Sequence, residues 1–204
     1  MAIRNHCDRR LAGAGILFIL CLALTVGCAS AAAPQADSPT WKLLRQNAPG
    51  YVVMMRHAEA PGTGDPANFR LEDCATQRNL SPAGRAQAKR MGETFRRRNI
   101  RIAQVLSSQW CRCLDTAQLL QLGPVKPFPA LNSFFQNRRS EAQQTAAVRQ
   151  LILNHRQKNG VLILVSHQVN ITAISGIFPQ SGAAVVLQAN DRGDVTVVGQ
   201  LPPA

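Results

Sequence analysis

At 204 residues, with 46% hydrophobic side chains and few aromatics, the chain has the composition of an ordinary globular protein and the length for one domain with a substantial core. Its formal charge of +12 points to anionic partners, but the pattern excludes a nucleic-acid binder. The bases are spread out, the densest cluster is Arg96-Arg97-Arg98, aromatics for base stacking are scarce, and no nucleic-acid module is evident.

The amino terminus reads as a secretory signal peptide over residues 1–31. Arg4, Arg9 and Arg10 precede an apolar run over residues 11–26, and small residues come next over 27–33. A cut after Ala31 satisfies the small-x-small rule. Two alternatives stand beside it: lipidation of Cys28, and retention of the charge-free segment as an uncleaved anchor. The part from Ala32 onward keeps 20 basic and 10 acidic residues, a net of +10. The expected location is periplasmic or secreted, with membrane attachment only through an uncleaved leader or a lipid on Cys28.

Residues 32–49 read as a linker and a short N-terminal helix. Pro34, Pro39 and the small residues between them form the linker, residues 41–46 the helix, and Pro49-Gly50 its stop. The domain proper is expected over residues 50–204. It opens with an apolar strand at 51–55 that runs directly into Arg56 and His57. A long loop comes next at 58–79, rich in Gly and Pro; loops of that length are usually functional or disordered. Ser81 caps the next helix and Pro82 takes its first position, where a missing N–H costs nothing.

A second strand at 105–108 ends in polar residues, and a helix at 114–122 closes at Gly123-Pro124. Residues 127–139 read as a covering loop carrying Phe134-Phe135, and residues 141–158 as a long amphipathic helix. Five consecutive apolar residues at 161–165 require cover on both faces, as in a parallel sheet with helices on each side. That strand runs into Ser166-His167. A short helix at 169–175 and two strands, 184–187 and 195–198, complete the chain. Strands alternating with helices predict an α/β three-layer sandwich with a mostly parallel central sheet.

Three strands thus end in Arg56-His57, in Ser107-Ser108 with Arg112 just beyond, and in Ser166-His167. Parallel strands present their carboxyl ends along one edge, where α/β proteins bind ligands. Arginine offers a planar fork of donors matched to phosphate oxygens, and a neutral imidazole is a nucleophile toward phosphorus. Two arginines and two histidines therefore form a phosphoryl pocket, for which transfer needs mainly positioning and charge stabilisation.

These segments resemble the histidine phosphatase superfamily, the phosphoglycerate mutase-like fold, in its branch of short single-domain members. Arg56-His57-Ala58-Glu59 is similar to the family's Arg-His-Gly signature. Leu80-Ser81-Pro82-Ala83-Gly84-Arg85-Ala86-Gln87-Ala88 is similar to its Leu-Thr-x-x-Gly-x-x-Gln-Ala helix start. The run from Ser107 through Arg112 to Thr116-Ala117 is similar to its Ser-Ser-x-x-x-Arg-x-x-x-Thr-Ala segment, and Leu164-Val165-Ser166-His167 to the strand bearing its second histidine.

The resemblance implies that His57 attacks phosphorus, that Arg56, Arg112 and His167 hold the phosphoryl oxygens with Ser108 beside them, and that neither metal nor other cofactor takes part. It departs from the family at Ala58, which stands in place of Gly, and at residues 129–135, where many members carry an acidic proton donor and this chain has none. Glu59, Asp73 and Glu141 are the candidates for that role, with Glu59 nearest the nucleophile. The expected function is an exported, metal-independent phosphatase acting on a phosphorylated small molecule or an envelope glycan. The alternatives are a phosphohistidine or phosphoprotein phosphatase, and a phosphate-binding protein without turnover.

Outside the leader, Cys74, Cys111 and Cys113 remain. Export permits a disulfide between Cys74 and either Cys111 or Cys113. Cys-x-Cys with one distant Cys lacks zinc spacing, so no metal site is expected.

Overall fold

The computed structural model describes residues 38–204; the leader over 1–31, Cys28 and most of the linker lie outside the described residues. The elements run α1 (Pro39–Arg45), β1 (Val52–Arg56), α2 (Pro82–Arg97), β2 (Ile102–Ser107), α3 (Cys111–Leu120), β3 (Val125–Pro127), α4 (Glu141–His155), β4 (Val161–Ser166), α5 (Gln168–Ser175), β5 (Ala184–Ala189) and β6 (Val195–Leu201). Six strands form one sheet in the order β3-β2-β4-β1-β5-β6. The first four of that order are mutually parallel, β5 is antiparallel to β1, and β6 is antiparallel to β5.

The centre of the sheet is buried on both faces, and alternation along β1 and β4 sorts the side chains. Val53, Met55, Ile163 and Val165 meet Trp41 and Leu44 of α1, Met91 and Phe95 of α2, and Ala117 and Leu120 of α3. Val52, Met54, Leu162 and Leu164 meet Val148 and Ile152 of α4 and Ile171 and Ile174 of α5. This is the expected sandwich, three helices on one side and two on the other. The short N-terminal helix packs on the domain: Trp41 meets Phe95 edge-on, with ring centroids 4.9 Å apart.

α2 begins as its sequence dictates. The Ser81 hydroxyl accepts the Gly84 N–H at 2.9 Å, Pro82 occupies the first turn, and Arg96 and Arg97 lie in the last. Its two glycines are contact points. A Cβ at Gly92 would sit 2.0 Å from the Leu120 carbonyl oxygen, and one at Gly84 would sit 2.1 Å from that of Glu59. α2 can approach α3, and its first turn can approach the chain leaving β1, only because both positions lack a side chain.

Two segments differ from expectation. Residues 125–127, expected outside any strand, pair with β2 as a parallel edge strand; an edge tolerates Pro127 because the outer side needs no donor. α3 starts at Cys111, three residues before the predicted start, so Arg112 belongs to a helix rather than to the loop before it. Within the covering segment the two phenylalanines part company: Phe134 is buried and Phe135 exposed.

Strand register decides which polar ends become neighbours. Arg56 lies beside Ser166, and Ser107 beside Val165. The next residues stay tied to the same edge: the His57 N–H donates to the Ser166 carbonyl and the Ser108 N–H to that of Val165, both at 2.9 Å. Three polar strand ends thus meet in one place.

Candidate active site

A cleft of about 250 Å³ opens over this edge. Arg56, His57, Arg112 and His167 line it, as the sequence predicts. The two imidazoles stand with ring centroids 5.5 Å apart, and His57 and Arg112 are each only 2% exposed.

The state of His57 is set by its surroundings. Its Nδ1 lies 2.7 Å from the Ala58 carbonyl oxygen, which can only accept, so Nδ1 carries the proton. Burial lowers the affinity of the ring for a second proton, and the charge of Arg112, with those of Arg78 and Arg56, lowers it further, outweighing the pull of the Ala58 carbonyl; the pKa falls to about 3. At neutral pH the ring is therefore neutral, with its lone pair on Nε2. Ala58 itself is buried with no positive φ, and its N–H donates to the Thr116 hydroxyl at 3.0 Å, so replacement of the family glycine carries no backbone strain here.

His167 is held by its Nε2, 2.9 Å from the Ser108 hydroxyl and 3.5 Å from the Cys113 sulfur. Burial, then the neighbouring His57 and arginines, push its pKa well below the usual imidazole range. The structure places Ser108 beneath the cleft rather than in it: the residue is fully buried and its hydroxyl also reaches Asn132 Oδ1 at 3.2 Å. Ser108 thus orients His167 instead of lining the ligand space.

Arg56 anchors one terminal nitrogen on the Pro179 carbonyl at 3.0 Å, while its Nε is buried without a partner. Arg112 also keeps a buried, unpartnered Nε. Its terminal nitrogens grip Asp65 bidentately at 2.6 and 3.0 Å, and both side chains are almost fully buried. A third arginine, Arg78, lines the same cleft and donates through Nε to the Gly64 carbonyl at 2.8 Å. Burial and the charge of Arg112 depress the pKa values of both Arg56 and Arg78. Three guanidinium groups therefore face one carboxylate among the lining residues. The surplus of about two positive charges matches a phosphoryl dianion.

None of the three carboxylates expected as proton donor reaches the cleft. Glu59 turns toward α2, where its carboxylate accepts from the Ser81 hydroxyl at 2.8 Å. Asp73 is occupied by Arg70, and Glu141 by Arg138 at 2.9 Å. Asp65 lines the cleft instead. Asp65 and Arg78 lie in the long loop, which carries no periodicity; its length and its departure from the site were the only signals in the sequence.

That loop is clamped to α3. Cys74 is bonded to Cys111, resolving the pairing left open by the sequence, and Cys113 is a free, buried thiol whose pKa burial pushes up to about 12. The Gln77 side chain accepts the Cys111 N–H at 2.9 Å, and Phe69 stacks on Trp110 with centroids 5.0 Å apart. Four large apolar side chains also line the cleft: Trp110, Val169, and Phe135 and Phe178, which are 51% and 71% exposed.

A family model described as "Histidine phosphatase superfamily (branch 1)" matches residues 52–134. The structure resembles that of the protein histidine phosphatase SixA complexed with tungstate, with a TM-score of 0.53 and 16% identity, over 75% of this chain and 97% of that one. It also resembles a mycobacterial glucosyl-3-phosphoglycerate phosphatase (0.54, 15%, over 76% and 98%). A phosphoserine phosphatase variant from Entamoeba histolytica is similar too (0.51, 12%, over 74% and 96%). At these identities the likeness is one of fold. No curated protein sequence matches the chain.

Proposed function

We propose that the chain is a member of the histidine phosphatase superfamily, whose model matches residues 52–134, and that it hydrolyses phosphomonoesters through a phosphohistidine on His57. One observation carries this reading: the Nδ1–H of His57 is committed to the Ala58 carbonyl, which leaves a neutral ring with its Nε2 lone pair free at the floor of an arginine-lined cleft. Nε2 attacks phosphorus while Arg56, Arg112 and Arg78 neutralise the equatorial oxygens, and His167 completes the cradle. Water then releases phosphate and restores the ring.

The leader pattern and the Cys74–Cys111 disulfide support an exported protein, since such bonds persist in oxidising compartments. Export in turn favours a phosphorylated small molecule or envelope glycan as substrate, and the phenylalanines lining the cleft favour one with an apolar or ring-bearing group next to the phosphate. Phosphohistidine is the second substrate to assay, because a protein histidine phosphatase stands among the fold relatives.

The test is phosphate release by the purified protein from an aryl phosphate and a sugar phosphate, with EDTA present and with a His57→Ala control. Turnover that survives EDTA and disappears in the variant is expected. Retained turnover in the variant places the nucleophile elsewhere, and vanadate binding without turnover makes the protein a phosphate binder.

A further inference from the structure

We propose that Asp65 is the proton donor to the leaving oxygen, and that the arriving phosphoryl group frees it for that role by competing for Arg112. This rests on the phosphatase reading above. The argument begins with elimination: among the described residues lining the cleft Asp65 is the only carboxylate, and Glu59, Asp73 and Glu141 are held outside it by Ser81, Arg70 and Arg138.

Its position is built rather than incidental. Oδ1 and Oδ2 meet the two terminal nitrogens of Arg112, Oδ2 accepts the Trp110 indole N–H at 3.0 Å, and Oδ1 accepts the Arg78 N–H at 3.3 Å. The start of α3 and the far end of the long loop thus hold one carboxylate against the arginine that the phosphoryl group must use.

The two anions share one guanidinium. Arg112 lines the cleft and keeps its Nε without a partner, so a phosphoryl group that reaches its guanidinium draws the cation toward itself. A second negative charge then lies beside Asp65 and its hold on Arg112 loosens. Despite its burial, Arg112, Trp110 and the Arg78 N–H hold the Asp65 pKa in the free site below the usual carboxylate value; both changes remove part of that hold and raise its affinity for a proton.

The proton arrives with the substrate, a monoester monoanion, and passes from a phosphoryl oxygen to the carboxylate. The Nε2 lone pair of His57 forms the N–P bond, the P–O bond to the leaving group breaks, and the Asp65 proton goes to the departing oxygen. In the second half, water bonds to phosphorus as one of its protons passes to Asp65, the N–P electron pair returns to Nε2, and Asp65 hands that proton to the departing phosphate and pairs with Arg112 again.

The experiment compares Asp65→Asn and Asp65→Glu with the wild-type protein on a series of phosphomonoesters, from a dinitrophenyl to a simple alkyl leaving group, with vanadate binding measured alongside. The asparagine variant is expected to lose about 10²–10⁴-fold in kcat on the alkyl ester and under tenfold on the dinitrophenyl ester. Its vanadate affinity is expected to be undiminished. The glutamate variant, which keeps a charge for Arg112 should the asparagine variant fold poorly, is expected to recover part of the alkyl-ester rate. Equal losses on all esters together with weakened vanadate binding assign Asp65 to orienting Arg112 and overturn the proposal, as does an unchanged leaving-group dependence. Wild-type protein that turns over neither ester overturns the phosphatase reading and this proposal with it; wild-type turnover beside a variant indifferent to the leaving group overturns the proposal alone.

Discussion

His57 and Arg112 decide the chemistry one residue at a time, and each carries a cost that can be measured. His57 is neutral when folded down to about pH 3 but takes up a proton near pH 6.5 when unfolded. Between those values the unfolded chain binds more protons, so stability is full above pH 6.5 and is lost as the pH falls toward 3. Each such histidine contributes up to about 1.4 kcal/mol per pH unit, and His167 and His155 are shifted in the same direction. Urea midpoints measured from pH 7 to 4 should fall on acidification, and should fall less steeply in His57→Gln; identical slopes would mean that His57 is charged in the folded protein.

Arg112 makes the opposite case, a buried charge paired with a buried charge. Arg112→Ala leaves Asp65 without its partner and should cost about 3–5 kcal/mol of stability as well as nearly all vanadate binding. Arg112→Lys should not restore the affinity, because an ammonium cannot reproduce the fork. Denaturant melts and vanadate titrations of both variants check this, and unchanged affinity in either would remove Arg112 from the pocket.

At the scale of elements, the site depends on how closely α2, α3 and the 58–79 loop are drawn together. Gly92→Ala places a methyl 2.0 Å from the Leu120 carbonyl, a backbone atom that cannot step aside. The variant should lose about 2 kcal/mol or more in denaturant melts, as overpacked positions do. The Cys74–Cys111 bond closes a separation of 37 residues between the loop and the start of α3. Removing it as Cys74→Ser with Cys111→Ser should cost about 2–4 kcal/mol, raise KM and lower kcat, since Arg78 and Asp65 both ride on the released loop. Thiol titration before and after reduction counts the bond directly; equal counts would reject it.

The same elements show what the sequence could reveal. Helix α2 was legible because Ser81, Pro82 and the face through Ala88, Met91 and Phe95 all signal one structure locally. β4 was legible as five apolar residues in a row. β3 was not, because three residues containing Pro127 become a strand only through the neighbour they pair with. The early start of α3 was hidden for a similar reason: no side chain caps it, and the disulfide and Gln77 fix its first residue from a distant loop.

Across the whole molecule, one topological fact gathers the chemistry. Four parallel strands direct β1, β2 and β4 to one edge, and the residue after each of these strands is His57, Ser108 or His167. This convergence was legible because strand ends can be read from apolar runs. The charge balance of the finished cleft was not, because Arg78 and Asp65 reach it from a loop without periodicity, and Glu59, adjacent in sequence, points away. Tertiary contacts, rather than sequence proximity, selected the carboxylate.

The most direct test of the whole account is to identify the covalent intermediate. The protein is mixed with a phosphomonoester, quenched in alkali within the first turnovers, digested and mapped by mass spectrometry. The account predicts an acid-labile, alkali-stable phosphoryl group on the peptide containing His57, absent from His57→Ala. A phosphoryl group on another side chain, or none while turnover proceeds, would contradict it.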